Sequence, residues 1–229
     1  MHSARISLRK FEFISSRYKE HKLSKDDFRR IIAVRRILPK IPVSSIFLDV
    51  GCYDGTIGSL LRPNGVTVIG LELSKNAALI AKGKIDEVII CDVEESLPFR
   101  DNSCDLIYMG ELIEHLFDPD YFLEEARRVL SLGGYLIVTT PNLASLGSRI
   151  SLLLGRKPWM IEERIARDYA GHIRYYTVDT LRKLIEEHHF VVEKVTSEGV
   201  KLWRMFSSKL GEIIPTLGLH IIICAKRIS

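Results

Sequence analysis

Several features that would classify a chain at once are missing here. No apolar run approaches the roughly 18–20 residues that cross a bilayer; the longest, 219-LHIIICA-225, is strand-sized. The opening residues Met1-His2-Ser3-Ala4-Arg5 lack the apolar centre of a secretory signal. The four cysteines, Cys52, Cys91, Cys104 and Cys224, show no CxxC spacing and sit inside or beside apolar runs. They read as buried free thiols of a protein in a reducing cytoplasm. Neither GxGxxG nor Gly-Lys-Ser/Thr occurs where a phosphate-binding loop would need it, which sets aside the dinucleotide fingerprint and the P-loop. Internal repeats and low-complexity tracts are absent too.

What is present fits one domain with appendages: 229 residues, 46% hydrophobic and 27% charged. The net charge of +4 is unevenly spread. Residues 1–40 hold twelve Lys or Arg against four acids, a net +8, so the remainder carries −4. Such a leader has the charge to meet RNA, an anionic membrane or an acidic substrate. It also has the form of a solvated helix packed on the domain, because Phe28, Ile31, Ile32 and Arg35 recur at helical spacing. Residues 1–44 are therefore expected to form a basic helical extension.

From Ser45 onward, short apolar strands alternate with helical patterns. The strands are expected at 46–50, 66–72, 87–92, 104–110 and 134–140, each rich in Val and Ile. Helices are expected at 56–62, 74–83 and 119–130, the last capped by Asp118 and stopped by Gly133-Gly134. The alternation predicts an α/β domain with a doubly wound, mostly parallel sheet, covered on both faces because its strands are continuously apolar. After the fifth strand the rhythm breaks, and residues 141–172 are too long for an ordinary connection. They are expected to form a lid or substrate wall, with Trp159, Met160, Tyr175 and Tyr176 as an acceptor pocket or a lid packed on itself. A helix at 178–189 follows, capped by Thr177, then apolar strands at 190–195 and 219–226.

The chemistry begins at 49-DVGCYDGTIG-58. An acid closes strand one, and a glycine turn leads into a helix. Asp49 would repel a diphosphate but attract the amino group of a zwitterion, while glycine at 51 and 55 lets main chain approach the ligand. A cofactor with an amino-acid portion and no phosphate is implied. Glu72 closes strand two, where an acid can take two ribose hydroxyls. Asp92 and Val93 close strand three, where they can take an adenine amino group and pack on the ring. Three acids at the ends of three successive strands converge on the crevice where such sheets bind ligands.

These segments, together with 104-CDLIYMGELIEHL-116 and 127-RRVLSLGGYLIVTTPN-142, resemble a class I S-adenosylmethionine-dependent methyltransferase of the small single-domain kind. The resemblance covers roughly Phe47 to Val195. It implies a seven-stranded sheet in which an antiparallel final strand pairs into the edge, a methyltransferase domain over 45–229 and S-adenosyl-L-methionine as cofactor. Carried over, Asp49, Gly51 and Gly55 line the methionine end, Glu72 and the neighbouring Leu73 the ribose, Asp92 and Val93 the adenine. Met109 and Gly110 lie beside the transferable methyl. Tyr53 departs from the pattern, standing where the family most often has glycine, and its ring is expected over the methionine end.

Methyl transfer is an in-line displacement, so positioning supplies much of the acceleration, and an oxygen or nitrogen acceptor also needs a base. His115 and Glu111, in 111-ELIEHLFDPD-120, are the catalytic candidates. Similar relatives use ExxEH with a further His as a divalent metal site, which would join Glu111, Glu114, His115 and His172; relatives without a metal use the same residues to cap or orient the loop. His188-His189 ends a helix, where a cation suits the dipole. The expected activity is methyl transfer to a small-molecule acceptor, lipid-linked or sugar-containing. RNA methylation and a non-catalytic cofactor-binding module are the alternatives.

Overall fold

The computed structural model describes residues 22–162 and 171–229. The described chain opens with α1, Lys25–Ile37. Ser24 and Asp27 start it with a reciprocal cap: the Asp27 N–H donates to Ser24 Oγ at 3.0 Å, and the Ser24 N–H to Asp27 Oδ2 at 2.9 Å. Its inner face is Ile31, Val34 and Ile37. Phe28 and Ile32, expected on the same apolar stripe, lie on the open side, so the buried stripe is turned from the expected one.

The main elements then follow as β1 Ile46–Val50, α2 Thr56–Leu61, β2 Thr67–Glu72, α3 Lys75–Ala81, β3 Glu87–Ile90, β4 Cys104–Gly110, α4 Pro119–Val129, β5 Leu130–Pro141, α5 Leu146–Leu153, α6 Val178–Glu187, β6 Phe190–Thr196, β7 Val200–Leu202, β8 Met205–Ser207, α7 Ser208–Ile213 and β9 His220–Arg227. Seven strands form one sheet in the order β3-β2-β1-β4-β5-β9-β6. Strands β3 to β5 pair in parallel, and β9 runs antiparallel to both neighbours. This is the doubly wound, mostly parallel fold expected. The antiparallel C-terminal strand β9 pairs into the sheet beside its edge, between β5 and the edge strand β6.

Alternate residues of the strands feed two cores. Leu48, Val50, Ile107, Met109, Leu136 and Val138 face one side, against Phe122 and Val129 of α4 and Leu181 and Ile185 of α6. Phe47, Val68, Leu106, Ile137 and Ile222 face the other, against α1 and Leu61 of α2. Both faces of the sheet are therefore covered by helices, which explains why its strands read as unbroken Val/Ile runs. The basic helix α1 is part of this second core.

Two local expectations change. Helix α4 starts as expected, with the Tyr121 N–H donating to Asp118 Oδ1 at 2.9 Å. It ends at Val129, however, and β5 begins at Leu130 and runs straight through Gly133-Gly134. The segment between the two expected C-terminal strands contains further structure, the two-stranded β7–β8 hairpin and α7. All four cysteines are free.

Candidate active site

Strands β1, β2 and β4 end side by side, with Val50 in register with Leu71 and Met109. Beyond their ends lies a cavity of about 500 Å³ lined by Arg30, Asp49, Gly51, Tyr53, Asp54, Tyr108, Gly110 and Glu111, among others. The loop after β1 enters the left-handed region three times, at Gly51 (φ +71°), Tyr53 (φ +51°) and Gly55 (φ +75°). Glycine adopts that backbone freely, whereas a tyrosine there is strained by about 1–2 kcal/mol. Tyr53 is held by its N–H, which donates to Glu72 Oε2 at 2.9 Å. The other Glu72 oxygen takes the Ser74 N–H at 2.7 Å. Glu72 thus ties the two loops together and, as a carboxylate, keeps further acceptor capacity.

Asp49 is almost wholly buried. Burial pushes its carboxyl up to about 7, against the pull of the Gly58 N–H beside it. A Cβ on Gly58 would collide with Asp49 Oδ2. That oxygen has no hydrogen-bond partner among the described residues. Asp54 is buried as well, but it is paired with Lys84 Nζ at 2.7 Å and accepts the Thr56 N–H at 3.1 Å, which fixes the start of α2.

Glu111 closes β4 in a left-handed conformation, φ +53°. Its Oε1 accepts from Thr139 Oγ1 at 2.8 Å. Its Oε2 lies 3.3 Å from His220 Nε2 and 3.6 Å from Arg30 Nη1. His220 Nδ1 is 2.5 Å from Glu198 Oε1, and Arg30 Nη2 is 2.7 Å from Asp27 Oδ1. Charges therefore alternate along Asp27, Arg30, Glu111, His220 and Glu198. Both ring nitrogens of His220 face carboxylates, and only the imidazolium can donate from both. Burial opposes its charge, but Glu111 and Glu198 outweigh burial and push it up to about 10. Glu111 is held down at about 2, because His220 and Arg30 outweigh its own burial.

A second cluster forms on the turn that follows. Glu114 is buried, and its Oε2 accepts from Thr140 Oγ1 at 2.9 Å. Its Oε1 has no hydrogen-bond partner among the described residues and lies 3.9 Å from His172 Nε2. Burial, with Glu111 nearby, pushes Glu114 up to about 8. His115 Nδ1 is 3.3 Å from the Gly171 carbonyl oxygen, and its ring centroid is 5.0 Å from that of His172. A carbonyl only accepts, so the proton of a neutral His115 sits on Nδ1 and Nε2 keeps a lone pair. Burial and the neighbouring His172 lower its pKa, which favours the neutral form. Glu114, His115 and His172 offer ligand atoms that all lie within 4.8 Å of one another.

A family model described as a methyltransferase domain matches residues 21–195. The chain belongs to that methyltransferase family. Its cofactor is S-adenosyl-L-methionine. A malonyl-[acyl-carrier protein] O-methyltransferase of a Marinomonas species is 28% identical over 52% of this chain and 47% of its own length. The human mitochondrial ubiquinone biosynthesis O-methyltransferase is 26% identical over 65% of this chain and 42% of its own length. The chain thus spans under half the length of these curated relatives. A crystal structure of an S-adenosylmethionine-dependent methyltransferase from Thermotoga maritima, 22% identical, superposes with a TM-score of 0.62 over 99% of this chain and 94% of the other. That likeness speaks to the fold.

Within this methyltransferase, Asp49, Gly51, Tyr53, Gly110 and Glu111 line one cavity, and Glu72 joins it through Tyr53. Gly55 faces α3 instead, where a Cβ would sit 3.2 Å from the Cα of Ala81. Leu73 is half-buried beside Glu72. Asp92 Oδ1 accepts the Glu94 N–H at 3.0 Å, and Val93 packs on the core. The Met109 side chain is in the core, which leaves its main chain at the strand end. Of the four residues expected around a metal, three converge, while Glu111 turns to Arg30 and His220. Trp159, Met160, Tyr175 and Tyr176 do not form one pocket: Tyr176 is in the core, Met160 is buried and Trp159 is exposed. His188 pairs with Asp120 at 3.0 Å, tying the end of α6 to the start of α4. Residues 163–170 of the expected lid lie outside the described residues.

Arg30, Tyr108, Glu198 and His220 escaped the sequence reading. His220 left one faint signal, a lone imidazole heading the most apolar strand of the chain.

Proposed function

We propose that the whole protein transfers a methyl group from S-adenosyl-L-methionine to a small-molecule acceptor, lipid-linked or sugar-containing. The observation that carries this reading is the placement of His115, its Nδ1 3.3 Å from the Gly171 carbonyl oxygen, on the turn directly after β4, the strand whose end closes the cavity at Gly110 and Glu111. When bound, the cofactor supplies an electrophilic methyl carbon on a sulfonium. The residues fit it: Asp49 keeps an unpartnered carboxylate oxygen beside the cavity for an amino group, and Gly51 and Gly110 leave main chain open to it. Glu72 has acceptor capacity for ribose hydroxyls, and Asp92 and Val93 would take the adenine. His115 Nε2 accepts the acceptor's proton, and the segment from Gly171 to Arg174, bonded to the main chain of the turn, holds the imidazole in place. Glu111, fixed as an anion between two cations, orients the site rather than moving a proton. The two curated relatives above, both O-methyltransferases by name, support a small acceptor.

A divalent cation on Glu114, His115 and His172 is a second reading of the same turn. It is favoured by the unpartnered Glu114 Oε1 within their reach and would polarise an acceptor oxygen as a Lewis acid. RNA as acceptor has less support, because three of the four arginines of α1 are engaged in ion pairs with Asp26, Asp27 and Glu212. Glu72→Ala is expected to weaken S-adenosylhomocysteine binding by about 1–3 kcal/mol in calorimetry. Unchanged affinity would sink the ribose assignment, and no binding of either cofactor form by the parent chain would sink the reading.

A further inference from the structure

Beside the Glu111–His220 pair, the molecule carries an apolar surface that methyl transfer does not use. Helix α5 buries only Ser148, and Leu152, Leu153 and Leu154 at its end are exposed, Leu153 at 85%. It packs against β7 of the hairpin, whose tip presents Trp203 at 87% exposure and then Met205. Helix α7 adds Ile213 and Ile214. Trp159 and Trp203, the only tryptophans of the chain, line one cleft of about 330 Å³ with Lys201 and His220. Water-soluble surfaces seldom gather apolar side chains in this way without a partner.

Two observations say what the partner is. Trp203 sits at φ +52° in the hairpin turn, a place where glycine or asparagine relieves the backbone. A strained backbone that holds an indole out in solvent is a conflict that folding alone does not resolve. The charge is also one-sided. Segments 145–161 and 200–214 hold six Lys or Arg and one acid, Glu212, which is paired with Arg36, and the one acid that lines the cleft, Asp26, is paired with Arg29 at 2.9 Å. Arg156 and Arg204 flank the aromatic positions and are exposed.

We propose that this end of the molecule seats on an anionic lipid surface. Trp159, Trp203 and Leu152 to Leu154 enter the boundary between headgroups and acyl chains, and the basic residues meet lipid phosphates. Indoles favour that boundary because one ring edge is apolar and the other donates a hydrogen bond. The cleft also ends on His220, whose Nε2 is 3.3 Å from Glu111 at the wall of the cofactor cavity. A lipid-borne acceptor would therefore enter beside the reacting space. This last step rests on the proposed acceptor; the seat itself does not.

The 229-residue chain is mixed with vesicles of phosphatidylglycerol and phosphatidylcholine, or of phosphatidylcholine alone, and tryptophan emission is followed. Anionic vesicles are expected to shift the emission to the blue, with quenching by brominated acyl chains, and to bind at least about tenfold more tightly than neutral ones. Trp203→Gly, which also releases the backbone, and Leu153→Glu, at a solvent-facing helix position, should each weaken partition by about tenfold. Circular dichroism and S-adenosylhomocysteine calorimetry on the same samples report the fold and the cofactor site. No shift on anionic vesicles, equal binding to both vesicle types, or a shift produced by RNA or by self-association instead would each overturn the proposal. If the parent chain binds anionic vesicles but neither S-adenosylmethionine nor S-adenosylhomocysteine, the methyl-transfer reading falls and this one stands.

Discussion

Glu111 and Glu114 stand three positions apart, both just past the end of β4, and their carboxylates meet opposite surroundings. Glu111 lies between Arg30 of α1 and His220 of β9 and stays ionised. Glu114 has one hydroxyl donor from β5 and an oxygen with no partner among the described residues, and burial drives it toward the protonated form. The same residue type on the same turn becomes a fixed anion in one place and a near-neutral acid in the other. Spacing along a strand end locates a carboxylate, but the elements that arrive from elsewhere decide its charge.

The largest effect expected comes from making one substitution at both positions. Glu111→Gln leaves Arg30 and His220 facing each other without their shared anion and should cost about 3–5 kcal/mol in denaturant unfolding. Glu114→Gln keeps an acceptor for Thr140 and replaces a group already inclined to be neutral, so it should stay within about 1 kcal/mol of the parent. Equal costs would erase the distinction.

Next comes the turn itself. His115→Ala should lower turnover on the true acceptor by about 100-fold or more if Nε2 takes the proton. If Glu114, His115 and His172 hold a cation instead, His172→Ala abolishes manganese binding in calorimetry, and turnover of the parent depends on added metal. Unchanged turnover in both variants removes the cluster from the chemistry.

A smaller effect follows from pH. His220 is raised from 6.5 to about 10, so its contribution to stability is complete below pH 6.5 and is lost as pH rises through 10. Glu111 is lowered from 4.5 to about 2, so its contribution is complete above pH 4.5 and is lost as pH falls through 2. Glu114, raised from 4.5 to about 8, loses its contribution as pH climbs through that range. Thermal unfolding of the Glu114→Gln variant should therefore decline less steeply than the parent between pH 4.5 and 6.5, the share due to Asp49, raised from 3.8 to about 7, remaining in both. The smallest change expected is at the loop: Tyr53→Gly releases a left-handed backbone and should alter stability by no more than about 1 kcal/mol, while weakening cofactor binding if the ring covers the methionine end.

The fold was legible because parallel strands buried on both faces announce themselves as Val and Ile runs, and because Asp118-Pro119 marks a helix start without ambiguity. Gly133-Gly134 misled, since glycine is as compatible with a strand crossing a bend as with a helix stop, and here the helix passes into β5 without a loop. At the site, Asp49, Gly51 and Glu72 could be read because each is local to its own strand end. Arg30 and His220 could not: they stand 190 positions apart and meet only because β9 inserts next to β5. Phe28 shows the same limit, as its helical spacing did not reveal which side of α1 the sheet would take.

The insertion of β9 between β5 and β6 has a consequence in time. Until residues 220–227 are made and docked, β5 offers an open, strongly apolar edge, and Glu111 lacks one of its two cations. The strand that seals that edge is the one that brings His220 to Glu111. Pairings of such long sequence separation form late and slowly, so the charge state of the site is completed in the same step that covers the open edge of β5. A newly made molecule that has not reached that step is prone to stick to its neighbours.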